Sequence, residues 1–388
     1  MEWQEKCLGE VTAFMAKGIP PKYTEVETTN TIRVLNQKCN RNFDISYEKS
    51  RLHDCTKKKV PEDKILQIGD VLINSTGTGT AGRVAQVIDL PVPTTIDGHM
   101  IVLRPNKEID PIYYGYAIKS AQTKIEALAE GSTGQTEINR RRLQDEIVIR
   151  FPARKDIQAQ IGRFMLAIDE KIKNNSQINK NLEEQVQALF KAWFIDFNHF
   201  NNMRTMNWKV TTLDKIATVS AGGDKPQNIS QTKTNLYQYP IYSNGLREDG
   251  LYGFTDKPKI FEESVTVSAR GTIGFVCLRH IPYVPIVRLI TVVPKSEDVS
   301  AKYLYLWLNQ LHITGTGTTQ QQLTVPDFKK TEILIPTKEI MSSFINTIVP
   351  FFEQIWKNQS ENQKLSSLRN TILPKLIFGK IDISDINL

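Results

Sequence analysis

Two stretches of the chain carry their apolar residues in alternating steps of four and three. In the first, Ile161, Met165, Ile168, Ile172, Asn175, Asn179, Leu182, Val186, Leu189 and Trp193 fall on one stripe. A period of about 3.5 residues predicts a coiled-coil seam. Adding 183 to each number gives Phe344, Ile348, Phe351, Ile355, Asn358, Asn362, Leu365, Arg369, Ile372 and Leu376. Nine of these ten positions keep their polarity class, and only Val186, matched by Arg369, departs. An amphipathic helix packed on a core would account for the apolar positions but not for asparagines at matching places on both stripes. Asparagine on a seam costs stability and specifies register. Asn175, Asn179, Asn358 and Asn362 are therefore read as register residues of two helices packed on each other.

The remaining residues show strand and turn patterns, and they repeat. Strand signals include Val71-Leu72-Ile73, Ile101-Val102-Leu103, Val265-Thr266-Val267 and Ile290-Thr291-Val292-Val293, with helical stretches at 112–121 and 301–311. Trp3 and Leu8 return as Trp208 and Leu213. Gly79-Thr80-Ala81-Gly82 returns as Gly271-Thr272-Ile273-Gly274, and Gln135, Ile138 and Leu143 return as Gln320, Leu323 and Phe328. Each copy then runs through a β-branched strand to a proline, Pro152 or Pro336. Two divergent copies of one unit account for all of this. The expected segments are a head at 1–153, a helix at 154–204, a second head at 205–338 and a second helix at 339–388. The heads read as mixed α/β (α+β) and the whole as pseudo-twofold.

Topology predicts an antiparallel coiled coil. The seam from Ile161 to Trp193 is about 48 Å long at 1.5 Å per residue. A parallel pair would force residues 205–338 to carry the chain back along that length; an antiparallel pair lets them start and finish at one end. The expectation is a dumbbell, with Asn175 against Asn362 and Asn179 against Asn358.

Composition narrows the function classes. Of 388 residues, 40% are hydrophobic and 23% charged, which excludes a mainly disordered or collagenous chain. No apolar run approaches the ~20 residues that span a bilayer, and the polar start is not a secretory signal; the expected location is cytoplasmic. The net charge of +7 suggests a polyanionic partner without proving one. Cys7, Cys39, Cys55 and Cys277 show no paired spacing. Cys39, His53 and Cys55 lack a fourth ligand at a finger-like distance, so no metal is expected.

Catalytic motifs fail on context. Gly77-Thr78-Gly79-Thr80-Ala81-Gly82 matches a dinucleotide-binding pattern in letters. Such a site needs a helix starting at the loop, so that its amides hold a pyrophosphate. Arg83-Val84-Ala85-Gln86-Val87-Ile88 instead alternates like a strand, so a glycine turn between strands is expected. Ile19-Pro20-Pro21-Lys22-Tyr23 has the prolines of an amino-methyltransferase motif, but Ile19 cannot accept a hydrogen bond and Lys22 displaces the aromatic. Glu62-Asp63-Lys64 resembles a nuclease Glu-x-Lys but follows Pro61 in a charged turn. The five histidines offer no nucleophile–base pairing, and the chain reads as non-catalytic.

Binding surface is left. The first head offers Arg33, Arg41, Arg51, Lys57, Lys58, Lys59, Thr78, Arg83, Gln135, Arg140, Arg141 and Arg142. The second offers Lys225, Asn244, Arg247, Lys257, Lys259, Arg270, Gln320, Gln321 and Gln322. Lysine and arginine suit phosphates, while Arg, Asn and Gln can read base edges. Singly, each cluster is an ordinary solvated face; two basic heads on a spacer are more telling. Half-sites one DNA turn apart are separated by about 34 Å, which a rod of this length spans.

Over its whole length the chain resembles the specificity subunits of type I restriction–modification enzymes. The resemblance is carried by Gly18-Ile19-Pro20-Pro21-Lys22-Tyr23, Arg33-Val34-Leu35-Asn36-Gln37, the stretch Gly69–Thr80, the Gly271–Gly274 turn and the helical tails 179–194 and 362–378. It implies two target-recognition domains reading a bipartite site in double-stranded DNA, and paired helices that hold two modification (methyltransferase) subunits. It also implies restriction (translocase–nuclease) subunits as partners. S-adenosylmethionine, ATP and Mg would then reside in those partners, with no cofactor on this chain. A two-headed protein-binding scaffold and a nucleotide-cofactor oxidoreductase are the alternatives.

Overall fold

A computed structural model describes residues 2–131, 136–200, 207–315 and 322–383. They form two compact units, Met1–Ser176 with Gln359–Leu388, and Gln177–Asn358. Two helices of 40 residues each, Lys155–Phe194 and Lys338–Ile377, contribute to both units. No helix of the described residues is long and apolar enough to cross a membrane.

In the first unit, Trp3–Cys7 runs antiparallel to Val148–Pro152, the strand that leads into the first long helix. Four antiparallel strands follow the order Thr12–Lys17, Met100–Pro105, Val71–Asn74, Val84–Gln86. Their apolar runs are continuous because both faces are covered. Val71, Ile73, Ile101 and Leu103 pack with the helices, while Leu72, Met100 and Val102 pack with Leu35 and Ile96 of a second sheet. That sheet sets Thr31–Leu35 beside Thr94–Ile96, in parallel, and beside Arg51–Asp54.

Helix Pro111–Ser120 starts at Asp110, whose carboxylate accepts from the Ile112 and Tyr113 N–H groups at 3.0 Å. Its buried tyrosines each find a partner for the hydroxyl. Tyr113 donates to the Arg150 carbonyl at 2.8 Å, Tyr114 bonds Thr12, and Tyr116 donates to Asp169 at 2.7 Å.

The second unit rebuilds this frame. Lys209–Thr212 pairs with Glu332–Ile335, and a four-stranded sheet runs Ala217–Ala221, Ile290–Pro294, Ser264–Val267, Val276–Arg279. Tyr239–Tyr242 lies parallel to Val284–Pro285, as Thr31–Leu35 does to Thr94–Ile96. Individual hydrogen bonds repeat too. Leu8 N–H donates to the Ile147 carbonyl and Leu213 N–H to that of Thr331; Tyr113 donates to Arg150 and Tyr303 to Leu334.

The long helices are antiparallel within each unit, and their asparagines bond in two matching sets. Asn175 Nδ2 donates to Asn362 Oδ1 at 2.9 Å, and Asn362 Nδ2 to the Ile172 carbonyl at 3.2 Å. In the second unit Asn358 Nδ2 donates to Asn179 Oδ1 at 2.8 Å, and Asn179 Nδ2 to the Ile355 carbonyl at 3.2 Å. Towards the heads the buried stripe widens beyond the seam. Phe190, Phe194, Phe352, Leu373 and Ile377 are buried, whereas Leu189, Phe351 and Ile372 are half-buried. There the helices cover head cores as well as each other, which needs a broader face than a seam.

Arg369, the one departure from the repeat, pairs with Asp169, which also accepts from Tyr116. Lys119 Nζ lies 3.5 Å from the same carboxylate and 4.1 Å from the Phe43 ring centroid. Burial pulls the Lys119 ammonium down to about 8.

Candidate nucleic-acid interface

The glycine loop of the first head joins two antiparallel strands, Val71–Asn74 and Val84–Gln86. A strand follows it, so no helix N-terminus is there to hold a pyrophosphate. Gly77, Gly79 and Gly82 have φ of +113°, +67° and +87°, values that favour glycine. Gln37 closes on the loop from the parallel strand pair. Its carbonyl accepts from Asn74 Nδ2 at 3.1 Å, and a Cβ on Gly77 would sit 2.7 Å from its Oε1. Thr76 Oγ1 and His99 Nδ1 are 2.9 Å apart. Thr76 also bridges to Glu137, which forms an ion pair with Lys17.

The second head has a shorter version. Asn244 Oδ1 accepts from the Ala269 N–H at 2.7 Å and its Nδ2 donates to the Val287 carbonyl at 2.8 Å. Its amide is thus spent on holding two loops together. Arg270 donates from Nε and Nη2 to Gln322 Oε1 at 3.1 and 2.9 Å. Leu323 N–H bonds the Ala269 carbonyl as Ile138 N–H bonds that of Ser75. Counting from the parallel strand pairs, Asn244 stands where Gln37 stands, and Val287-Arg288 where Gly98-His99 stand.

The basic candidates sort by what neutralises them. Arg33 pairs with Glu27, Lys57 with Asp54, Arg141 with Asp145 and Arg247 with Glu248. Arg142 is engaged by both Glu130 and Glu146. The Arg51 guanidinium stacks 3.5 Å from the Tyr23 ring centroid, and Lys225 Nζ lies 2.6 Å from the Tyr252 hydroxyl. Arg83 donates to the Gly79 carbonyl at 3.0 Å, and Thr78 is exposed at the loop tip. Arg41, Lys58, Lys59, Arg140, Lys257 and Lys259 are exposed with no ion pair among the described residues. Gln135, Gln320 and Gln321 lie outside the described residues.

Gln37, Thr76, His99, Val287 and Arg288 were not among the sequence candidates. Local patterns could not reveal them, because parallel pairing brings residues 61 positions apart in one head and 43 in the other to one corner. His53 is buried with both ring nitrogens bonded to backbone, at Lys22 and Lys58. Among the described residues no three metal-ligating side chains gather.

Two heads built on one frame, each gathering amide and basic side chains about a glycine turn, define a duplicated recognition protein. Residues 1–184 and 206–370 match the Type I restriction modification DNA specificity domain, and the chain belongs to that family. It is 23% identical over 420 residues to the type I restriction enzyme MjaIX specificity subunit of Methanocaldococcus jannaschii, covering 99% of this chain and 95% of that one. A match to S.MpnORF507P of Mycoplasma pneumoniae is 29% identical over 250 residues, 64% of this chain and 66% of the relative. The crystal structure of a type I restriction–modification S subunit from M. genitalium has the same fold, with a TM-score of 0.64, 17% identity, and 97% and 96% of the two chains covered.

Proposed function

We propose that the chain reads a bipartite target in double-stranded DNA, one half with each head. The carrying observation is that one hydrogen-bonded frame is built twice with different side chains at its corners. Gln37, Thr76 and His99 occupy the first; in the second Arg288 is exposed, while Asn244 and Arg270 are engaged within the head. A shared frame serves docking to a common duplex geometry, and different corner residues serve different base sequences. The exposed cations Arg41, Lys58, Lys59, Arg140, Lys257 and Lys259, with no ion pair among the described residues, suit phosphates. Arg33 and Arg142, already beside carboxylates, suit them less.

The helices would hold two methyltransferase subunits, and restriction subunits would complete the assembly in the cytoplasm. Methyl transfer from S-adenosylmethionine, and ATP- and Mg-dependent cleavage, would belong to those partners. On this reading Arg140→Ala weakens binding to all duplexes similarly and lowers the slope of log affinity against log salt by about one. Titrations of specific and random duplexes at several salt concentrations measure this. A loss confined to one base position would make Arg140 a base reader instead.

A further inference from the structure

The second head holds a turn that its residues do not favour. Ile286, Val287, Arg288 and Leu289 form a turn closed by the Leu289 N–H on the Ile286 carbonyl, 3.1 Å away. Both central residues are left-handed, Val287 with φ +52° and Arg288 with φ +60°. Positive φ at both centres marks a mirror-image turn, whose usual residues are Asn and Gly. A β-branched residue there is a genuine outlier. The matching turn of the first head, Asp97 to Met100, closes the same hydrogen bond, carries glycine at position 98 and has no positive φ at either centre.

The surroundings hold the strained turn in place. Val287 N–H donates to the Gly223 carbonyl at 2.9 Å and Arg288 N–H to that of Gly222 at 3.0 Å. Asn244 Nδ2 takes the Val287 carbonyl. Gly222 lies so close that a Cβ on it would meet the Pro285 carbonyl carbon at 2.7 Å. Both turn residues are nevertheless exposed. The Arg288 guanidinium has no partner among the described residues, whereas Arg247 and Arg270 are engaged. Strain of this kind, maintained by several hydrogen bonds around an exposed side chain, marks a position set for contact with something outside the chain.

We propose that Arg288 reads a guanine in the half-site of the second head, and that the Val287 turn is the positioning element that fixes its direction. A guanidinium fork matches O6 and N7 of guanine, the commonest specific contact of the major groove. A lysine ammonium carries the same charge without the fork. The inference rests on the reading of the second head as a base-reading surface.

The test selects binders of the full chain from duplexes randomised over both half-sites. Wild type should require guanine at one position of one half-site. R288K and R288A should each lose about five- to 150-fold of discrimination at that position alone. R288K should keep its affinity for random duplexes and its salt slope. V287G should melt higher, since glycine relieves the turn, and discriminate less at the same position. Equal weakening of all sequences by R288A, rescued by R288K, would make Arg288 a phosphate contact and overturn the inference. Unchanged selection by both variants would overturn it too. Selection of no sequence by wild type would overturn the reading of the heads themselves.

Discussion

The two units share a strand frame, and most of their differences lie in side chains and are not scattered. Leu8 and Leu213, Gly18 and Gly222, Tyr113 and Tyr303 make equivalent bonds or contacts in their own units. At the helix ends the chemistry inverts. The first unit packs half-buried Asp169, Arg369 and Lys119 against buried Tyr116, where the second has Phe352, Val186, Leu306 and Asn309 at the matching positions. At the turns, glycine and histidine give way to a strained valine and arginine. The units differ where a side chain reaches outward or brings its own partner, and keep the same close contact at Gly18 and Gly222.

The largest effect should come from breaking the shared frame in one unit only. A Cβ on Gly18 would sit 2.1 Å from the Asp97 carbonyl oxygen, with nothing flexible to yield. Gly18→Ala should cost on the order of 3–5 kcal/mol. Hydrogen exchange should place the loss in residues 2–131 rather than in the second head. Gly222→Ala should do the reverse with a smaller cost, because its nearest contact is 2.7 Å. Equal losses in both heads from either variant would mean that the units do not fold separately.

A smaller effect follows from making the first unit resemble the second. Arg369→Val removes one partner of a largely buried pair but leaves Asp169 with Tyr116 and Lys119. Denaturant unfolding should show a loss of roughly 2–3 kcal/mol, below the full cost of stranding a buried charge. A gain would mean that desolvation of the pair outweighs its attraction.

The smallest effect depends on pH. Burial lowers the Lys119 pKa to about 8, so between there and its ordinary value of 10.5 the unfolded chain binds more protons than the folded one. Stability owed to this group therefore rises with pH across that window. Lys119→Met should stabilise at neutral pH by on the order of 1–3 kcal/mol, with the advantage fading towards pH 10.5. Melting temperatures of both proteins across that range check it. An advantage that grew with pH would contradict the burial account.

Much of the fold was legible in sequence because periodicity and duplication are local. The seam, the strands around Val71–Ile73 and Val265–Val267, and the strand after the Gly77–Gly82 loop needed no tertiary information. Arg369 was legible as a departure but not as half of a pair, since Asp169 lies 200 positions away. Phe190 and Phe352 were missed as core because the seam pattern describes helix against helix, and these residues face a head as well. The corner residues were the least legible. Gln37 and Arg288 gain their meaning from parallel pairings and left-handed backbone, neither of which has a local signature in the side-chain pattern.

The central claim is that each head reads its own half of the target. It is tested most directly by replacing residues 205–338 with the corresponding segment of a related subunit and mapping methylated sites of the reconstituted complex. The account predicts that one half of the recognised sequence changes while the other half stays as it was. A simultaneous shift of both halves would show that the heads form one composite reading surface, and would contradict it.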